Sequence, residues 1–265
     1  MSAKTAAAIP TDRAVAAQPH YVYGVMRAAD TPVAASEGGI GGADLGVTVF
    51  DDLAALTSPL KSARVRATRR DLMIHSEILE AALERGTVVP VQFGTVFQSA
   101  DAVVSDFLEP RRKELEKLLD DLEGRVELSV KAFYVEQAIL AEIVRENPRI
   151  ARLREATRTV PEAATHGARL ELGELVAAEL QARALRDRER ILGTLRPLAV
   201  AVAVAGEHGE HDVLRASFLV ERKGVGVFDR TMNDIAQRED GRIHFKYLGP
   251  LPPHSFVSLS PGEQH

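Results

Sequence analysis

The chain has 265 residues, room for one large domain or two small ones, and its 45% hydrophobic and 27% charged residues fit a globular protein rather than a disordered or fibrous one. A net charge of −5 provides no global field for nucleic acid or anionic lipid, and the absence of cysteine excludes disulfides, thiolate catalysis, iron–sulfur clusters and cysteine-rich zinc sites. The longest apolar run, Leu198 to Ala205, falls far short of the roughly 20 residues that cross a bilayer, and Ala6 to Ile9 is cut off by Pro10, Asp12 and Arg13, so a cytoplasmic protein with no nucleic-acid or membrane partner is expected.

Residues 1–18 are rich in Ala, Thr and Pro without apolar period and read as a frayed tail. Tyr21 to Met26 is β-branched and aromatic, a buried strand. The glycine-rich stretch Gly38 to Gly46 fits neither phosphate-loop pattern, so it reads as a mobile connection between strands. Val47 to Phe50 is a second strand, turned by Asp51-Asp52 into a third around Leu53 to Thr57. Thr68 followed by Asp71 approximates a capping box, and Leu72, His75, Leu79, Ala82 and Leu83 recur at helical spacing until Gly86. Val88 to Phe97 is extended, with Pro90 confining it to an edge, bulge or strand end. Ser99 caps a further helix that Pro110 breaks before Leu115, Leu118, Leu119 and Leu122 resume the stripe, and a domain junction is expected on or after it.

The second half has a different rhythm. Val126, Leu128, Val130 and Ala132 alternate with polar residues, a strand with one wet face ending at Phe133 and Tyr134. From Val135 to Leu195 the pattern is helical, broken at Asn147-Pro148 and loosened near Pro161 and Gly167, and its narrow apolar stripe suggests a helical pair leaning on itself as in a short coiled coil. Leu198 to Ala205 and Val213 to Val220 are strands, then come a helix holding Val227, Phe228, Met232 and Ile235 and a last strand from Ile243 to Leu248. This β, helices, β, β, α, β order is the split βαβ arrangement of ferredoxin-like domains, giving an α+β chain overall.

Candidate chemistry is sparse. Glu207 to Asp212 packs two histidines and three carboxylates into six residues, but its glycine turn lacks the one-face spacing of a zinc helix and reads as a solvated hairpin tip. His75, one turn from Leu72 and Leu79, points to the covered side of its helix toward Phe93 and Thr95; a core histidine bonded to a backbone carbonyl is preferred to a general base. Arg183, Arg186, Arg188 and Arg190 alternate with Glu179, Asp187 and Glu189, which suits a solvated or helix-pairing face rather than a phosphate track. Gly249 to Phe256 is stiffened by three prolines and reads as a rigid strap, lying across its own domain in preference to a partner's groove.

Together four segments resemble the gas vesicle protein F/L family (GvpL/GvpF): Tyr21-Val22-Tyr23-Gly24-Val25, His75-Ser76-Glu77-Ile78-Leu79-Glu80, Val89-Pro90-Val91-Gln92-Phe93-Gly94-Thr95-Val96-Phe97, and Gly249-Pro250-Leu251-Pro252-Pro253-His254-Ser255-Phe256-Val257. The family usually has tryptophan and tyrosine where this chain has Leu251 and His254, and arginine where Gln92 stands. The resemblance implies a non-enzymatic accessory or minor structural protein of gas vesicles, without cofactor or metal, whose partners are the gas vesicle shell subunit and other gas vesicle accessory proteins. It also implies two domains. The division is then a disordered tail at 1–18, an N-terminal α+β domain at 19–123, a C-terminal ferredoxin-like domain with a helical pair at 124–258, and a tail at 259–265. Candidate structural or partner-contact residues are His75, Phe93, Gly94, Thr95, Phe97, Pro252, Pro253, His254 and Phe256. Competing readings are a ferredoxin-like hydrolase or transferase using His75, and a small-ligand sensor on the glycine stretch.

Overall fold

The protein was analysed as a computed structural model that describes residues 18–31, 38–158, 162–206, 209 and 211–258, with the side chains of 162–165 left aside. The expected tails at 1–17 and 259–265, and Pro161, Glu207, His208 and Glu210, lie outside the described residues.

The first half is built on β1 (His20–Arg27), β2 (Gly46–Phe50), β3 (Leu53–Pro59), β4 (Val88–Pro90) and β5 (Val96–Phe97), in the antiparallel order β2-β3-β1-β4 with β5 also on β1. Strand alternation sends β1 side chains to both faces. Tyr21, Tyr23 and Met26 meet α1 (Arg69–Arg85) through Leu79, Ala82 and Leu83. Val22 and Val25 meet α2 (Ala100–Val103) and α3 (Arg112–Asp121) through Val103, Leu115 and Leu119. Thr68 caps α1 by accepting the Asp71 N–H at 3.1 Å, and Ser99 caps α2 in the same way through Ala102. Helix α2 widens into a single π turn at Val104–Leu108 before Pro110 separates it from α3. Leu72, expected on the apolar stripe, is instead exposed, because one turn earlier the helix overhangs the sheet rather than covering it. The glycine stretch, expected to be mobile, is seated from Gly38 onward: Ile40 is buried and its N–H donates to the Tyr23 hydroxyl at 2.9 Å.

The second half is built on β6 (Arg125–Tyr134), β7 (Ala201–Val204), β8 (Asp212–Glu221) and β9 (Ile243–Leu251), an antiparallel sheet ordered β7-β8-β6-β9. One face is covered by α4 (Glu136–Glu146), α6 (Glu162–Leu195) and α7 (Val225–Arg238), while α5 (Pro148–Arg158) packs along the first part of α6. The long helix therefore serves two purposes. Its early turns pair with α5, but Leu180, Ala184, Ile191, Leu192 and Leu195 are buried against the sheet, so the expected self-leaning pair is a core helix over its last four turns. Gly167 lies within continuous helix. Val227, expected inside, faces solvent while Phe228, Met232 and Ile235 carry the packing of α7.

The expected wet face of β6 is dry at one end. Glu127 is buried, and its ladder partner Leu219 packs into the same cluster as Val22, Leu115 and Leu119 of the first half. Val126 joins the cluster around Tyr21 and Leu79, and the Arg222 guanidinium donates to the Leu83 carbonyl at the end of α1. The two sheets thus share apolar core.

One edge of the second sheet is bare. The Ala205 N–H donates to the Arg215 carbonyl, so the alternating backbone groups of Val202 and Val204 point outward, where no strand pairs with β7 among the described residues. The run Ala199 to Ala205 is entirely alanine and valine, and Val200 and Val204 are exposed at 49% and 47%.

Candidate functional site

Tyr21 and Tyr23 lie two residues apart on one strand face, so burying both rings requires partners for both hydroxyls. The Tyr23 hydroxyl lies 2.8 Å from Ser58 Oγ and accepts the Ile40 N–H; a Cβ on the adjoining Gly39 would collide with Ser58, so only glycine lets the loop approach. The Tyr21 hydroxyl accepts the Gly94 N–H at 3.0 Å and sits 2.9 Å from His75 Nδ1. Gly94, at φ 94°, occupies the left-handed region that aims this N–H inward. The phenol oxygen keeps a second lone pair and its own proton, so this contact engages His75 Nδ1 whichever of the two atoms donates.

His75 is 4% exposed. Its ring lies 5.6 Å edge-on from Phe93, 5.7 Å from Tyr23 and 6.4 Å from His254. Burial, reinforced by the nearby His254, lowers its pKa to about 4; the Val91 carbonyl opposes this weakly, and Nε2 makes no hydrogen bond of good geometry. The ring's bond of good geometry is thus to a phenol, and the expected backbone carbonyl is met only as the weaker contact with Val91. A buried ring that is neutral at pH 7 and already engaged at Nδ1 has neither the exposure nor the basicity of a general base.

The proline segment reaches this cluster from the other sheet. After β9 ends at Leu251, Pro252 and Pro253 are buried and the chain turns through residues 254–256, bringing the His254 ring beside His75. The Glu127 carboxylate fixes the turn by accepting the Ser255 N–H and O–H, both at 2.8 Å. His254 is also held below its ordinary pKa by desolvation, against a raising influence from Glu127.

The nine candidate residues therefore divide. His75, Phe93, Gly94 and His254 gather around Tyr21, and Thr95 closes the same loop by bonding the Gln92 carbonyl. Phe97 and Phe256 pack on the opposite face, in the cluster of Phe107 and Leu219, while Pro252 and Pro253 form the buried path between. Gln92 is exposed and Leu251 is half-buried opposite Glu127. Ser58 and Glu127 were not singled out in the sequence, and Ser255 only as part of the proline segment; Glu127 takes an ordinary polar position in the alternation of its strand, so nothing local marks it as buried.

A second polar cluster joins the helices of the second half. Arg242 donates to Glu142, Asp187 and Glu239 at 2.8, 2.8 and 3.0 Å, and Tyr134 donates to Asp187 at 2.6 Å. Arg183 pairs with Glu142 and Glu146, and Arg190 with Asp187 and Glu239. The arginine-rich face, expected to be solvated or helix-pairing, is in part ionic packing between helices, and Asp187 is held below its ordinary pKa because its three donors outweigh desolvation, the largest single influence. At the Glu207–Asp212 turn, Asp212 is buried with Arg215 on its carboxylate rather than solvated.

The chain so folded is a mixed helix-and-sheet arrangement whose polar clusters, among the described residues, are largely bonded internally. Its fold superposes on the crystal structure of gas vesicle protein GvpF from Anabaena sp. PCC7120 with a TM-score of 0.78, at 24% identity over 92% of this chain and 100% of that one. GvpF from Microcystis aeruginosa gives a TM-score of 0.72 at 22% identity over 91% and 99%. Gas vesicle protein F of Streptomyces sp. (strain CB03234) is 35% identical over 89% of this chain and 98% of that protein, and gas vesicle protein F1 of Halobacterium salinarum is 27% identical over 92% and 95%. The profile of the family described as gas vesicle synthesis protein GvpL/GvpF matches residues 19–258. The chain belongs to the GvpL/GvpF gas vesicle family and is a gas vesicle-associated protein. No helix among the described residues is long and apolar enough to cross a membrane.

Proposed function

We propose that the chain is an accessory or minor structural protein that binds the apolar shell subunit, other gas vesicle proteins, or both during assembly within the cytoplasm. A strongly apolar subunit aggregates through exposed patches and strand edges, and an acidic partner that occupies those edges shields it. The observation that carries the reading is the bare β7 edge: outward backbone groups at Val202 and Val204, flanked by exposed valines, with no charge or proline to block strand addition. We further read the chain as two domains, 19–123 and 124–258, with the second ferredoxin-like; the β6, helices, β7, β8, α7, β9 order and the β7-β8-β6-β9 sheet support that reading.

The test is co-purification of the shell subunit, and separately of each other gas vesicle protein, with the intact chain and with a Val200→Lys/Val204→Lys variant, whose new cations guard the edge without entering the core. Capture by the intact chain and loss in the variant is the expected result. If the intact chain captures none of them, the adaptor role fails; capture that survives the double substitution moves the contact away from β7.

A further inference from the structure

Between β3 and α1 the chain runs from Leu60 to Thr68 without regular structure and carries Lys61, Arg64 and Arg66, followed by Arg69 and Arg70 in the first turn of α1. All five side chains are exposed, and none is ion-paired among the described residues. This concentration of cations stands out in a chain of net charge −5. Val65, half-buried, anchors the stretch on the cluster beneath α1. Beside it lies an open cleft of about 470 Å³, floored by Ile40 to Ala43 and walled by Lys61, Arg64 and Arg66. A separate cleft is lined by Gly38, Arg69, Arg70, Met73, Ile74 and Glu77, and its Met73 is exposed together with Leu72.

We propose that this basic stretch is a docking surface for an extended acidic segment of a partner polypeptide. Charge complementarity selects the occupant. The cations are strung along the chain instead of converging on one point, which matches carboxylates spaced along a backbone. A compact phosphate ligand is disfavoured because no buried cation faces the first cleft; Asp44 and Asp71 there, and Glu77 in the second cleft, restrict favourable contact with any anion to the exposed lysine and arginine heads. Nucleic acid is disfavoured because residues 60–74 hold no aromatic ring on which a base could stack. The start of α1 adds its partial positive charge, and Leu72 and Met73 offer apolar contact at the end of the track. The inference rests on different residues from the β7 edge and stands or falls separately.

The experiment titrates the full-length chain into a fluorescein-labelled ten-residue polyglutamate peptide and follows anisotropy, with a ten-nucleotide single-stranded DNA and inorganic triphosphate as competing probes. The chain is compared with Arg64→Glu/Arg66→Glu/Arg70→Glu and with Arg154→Glu/Arg186→Glu/Arg230→Glu, which carries the same change of net charge at other exposed arginines. Peptide affinity is expected to fall at least about tenfold in the first variant and no more than about twofold in the second, and to weaken steeply between about 50 and about 500 mM salt. The glutamine counterpart of the first variant, R64Q/R66Q/R70Q, gives an intermediate loss and serves if the charge reversals perturb folding. Equal losses in the two variants, no peptide binding at low salt, or tighter binding of the DNA or the triphosphate overturns the proposal.

Discussion

His75 couples the burial of one ring to acidity. The unfolded chain takes up its proton near the ordinary 6.5 and the folded chain only near 4, so between these values the unfolded state holds more protons. Stability from this residue is therefore intact above 6.5, declines as pH falls through the window, and bottoms out below 4 with a total loss of about 3 kcal/mol. Urea denaturation at a series of pH values checks this, and His75→Leu is expected to flatten the decline. Tyr21→Phe removes the hydroxyl that accepts from Gly94 and bonds His75 Nδ1, leaving the buried ring nitrogen unsatisfied at a cost of about 1–3 kcal/mol in the same measurement. At Gly24, a Cβ would stand 2.8 Å from Leu79 Cδ2 and 3.0 Å from the Val89 carbonyl oxygen, so Gly24→Ala lowers the denaturation midpoint by overpacking, about 1–3 kcal/mol. His75 was legible as an inward residue from its helical phase. Its phenol partner was not, because strand and helix periodicities say which face a side chain takes and nothing about which opposing atom it meets.

Elements show the same division. Caps at Thr68 and Ser99, the Asp51-Asp52 turn and the break at Pro110 follow from local chemistry and stand where the sequence put them. The last turns of α6 were misread because a stripe of alanine, leucine and arginine is compatible with either a paired helix or a sheet cover, and for α6, as for the ends of α1 and α7 at Leu72 and Val227, strands far away in sequence decide which turns are covered. Arg242 likewise gathers carboxylates from α4 and α6 that no spacing rule connects to it. Removing it as Arg242→Ala takes one donor from each of Asp187 and Glu142, which keep Arg190 and Arg183, and a loss of about 1–3 kcal/mol by thermal or urea unfolding is expected. At the strap, Ser255→Ala deletes one of two bonds to Glu127; the cost is about 1 kcal/mol, seen most directly as faster hydrogen exchange of the Ser255 amide.

For the whole molecule, the shared core between the sheets decides how it comes apart. Leu219 packs among Leu115 and Leu119, and Val126 among Tyr21 and Leu79, so apolar surface would be exposed if either half opened alone. A single unfolding transition is expected by calorimetry, with Leu219→Ala lowering it by about 2–5 kcal/mol without splitting it. Two separate transitions, only one of them moved by the substitution, contradict this coupling. The uncovered valine strand has a different consequence. Main-chain amides and carbonyls are the same in every polypeptide, so a vacant berth of this kind discriminates poorly by sequence. Under the proposed edge pairing, selection among extended chains falls to their relative abundance in the cell, and the ratio in which genes are expressed becomes part of the recognition.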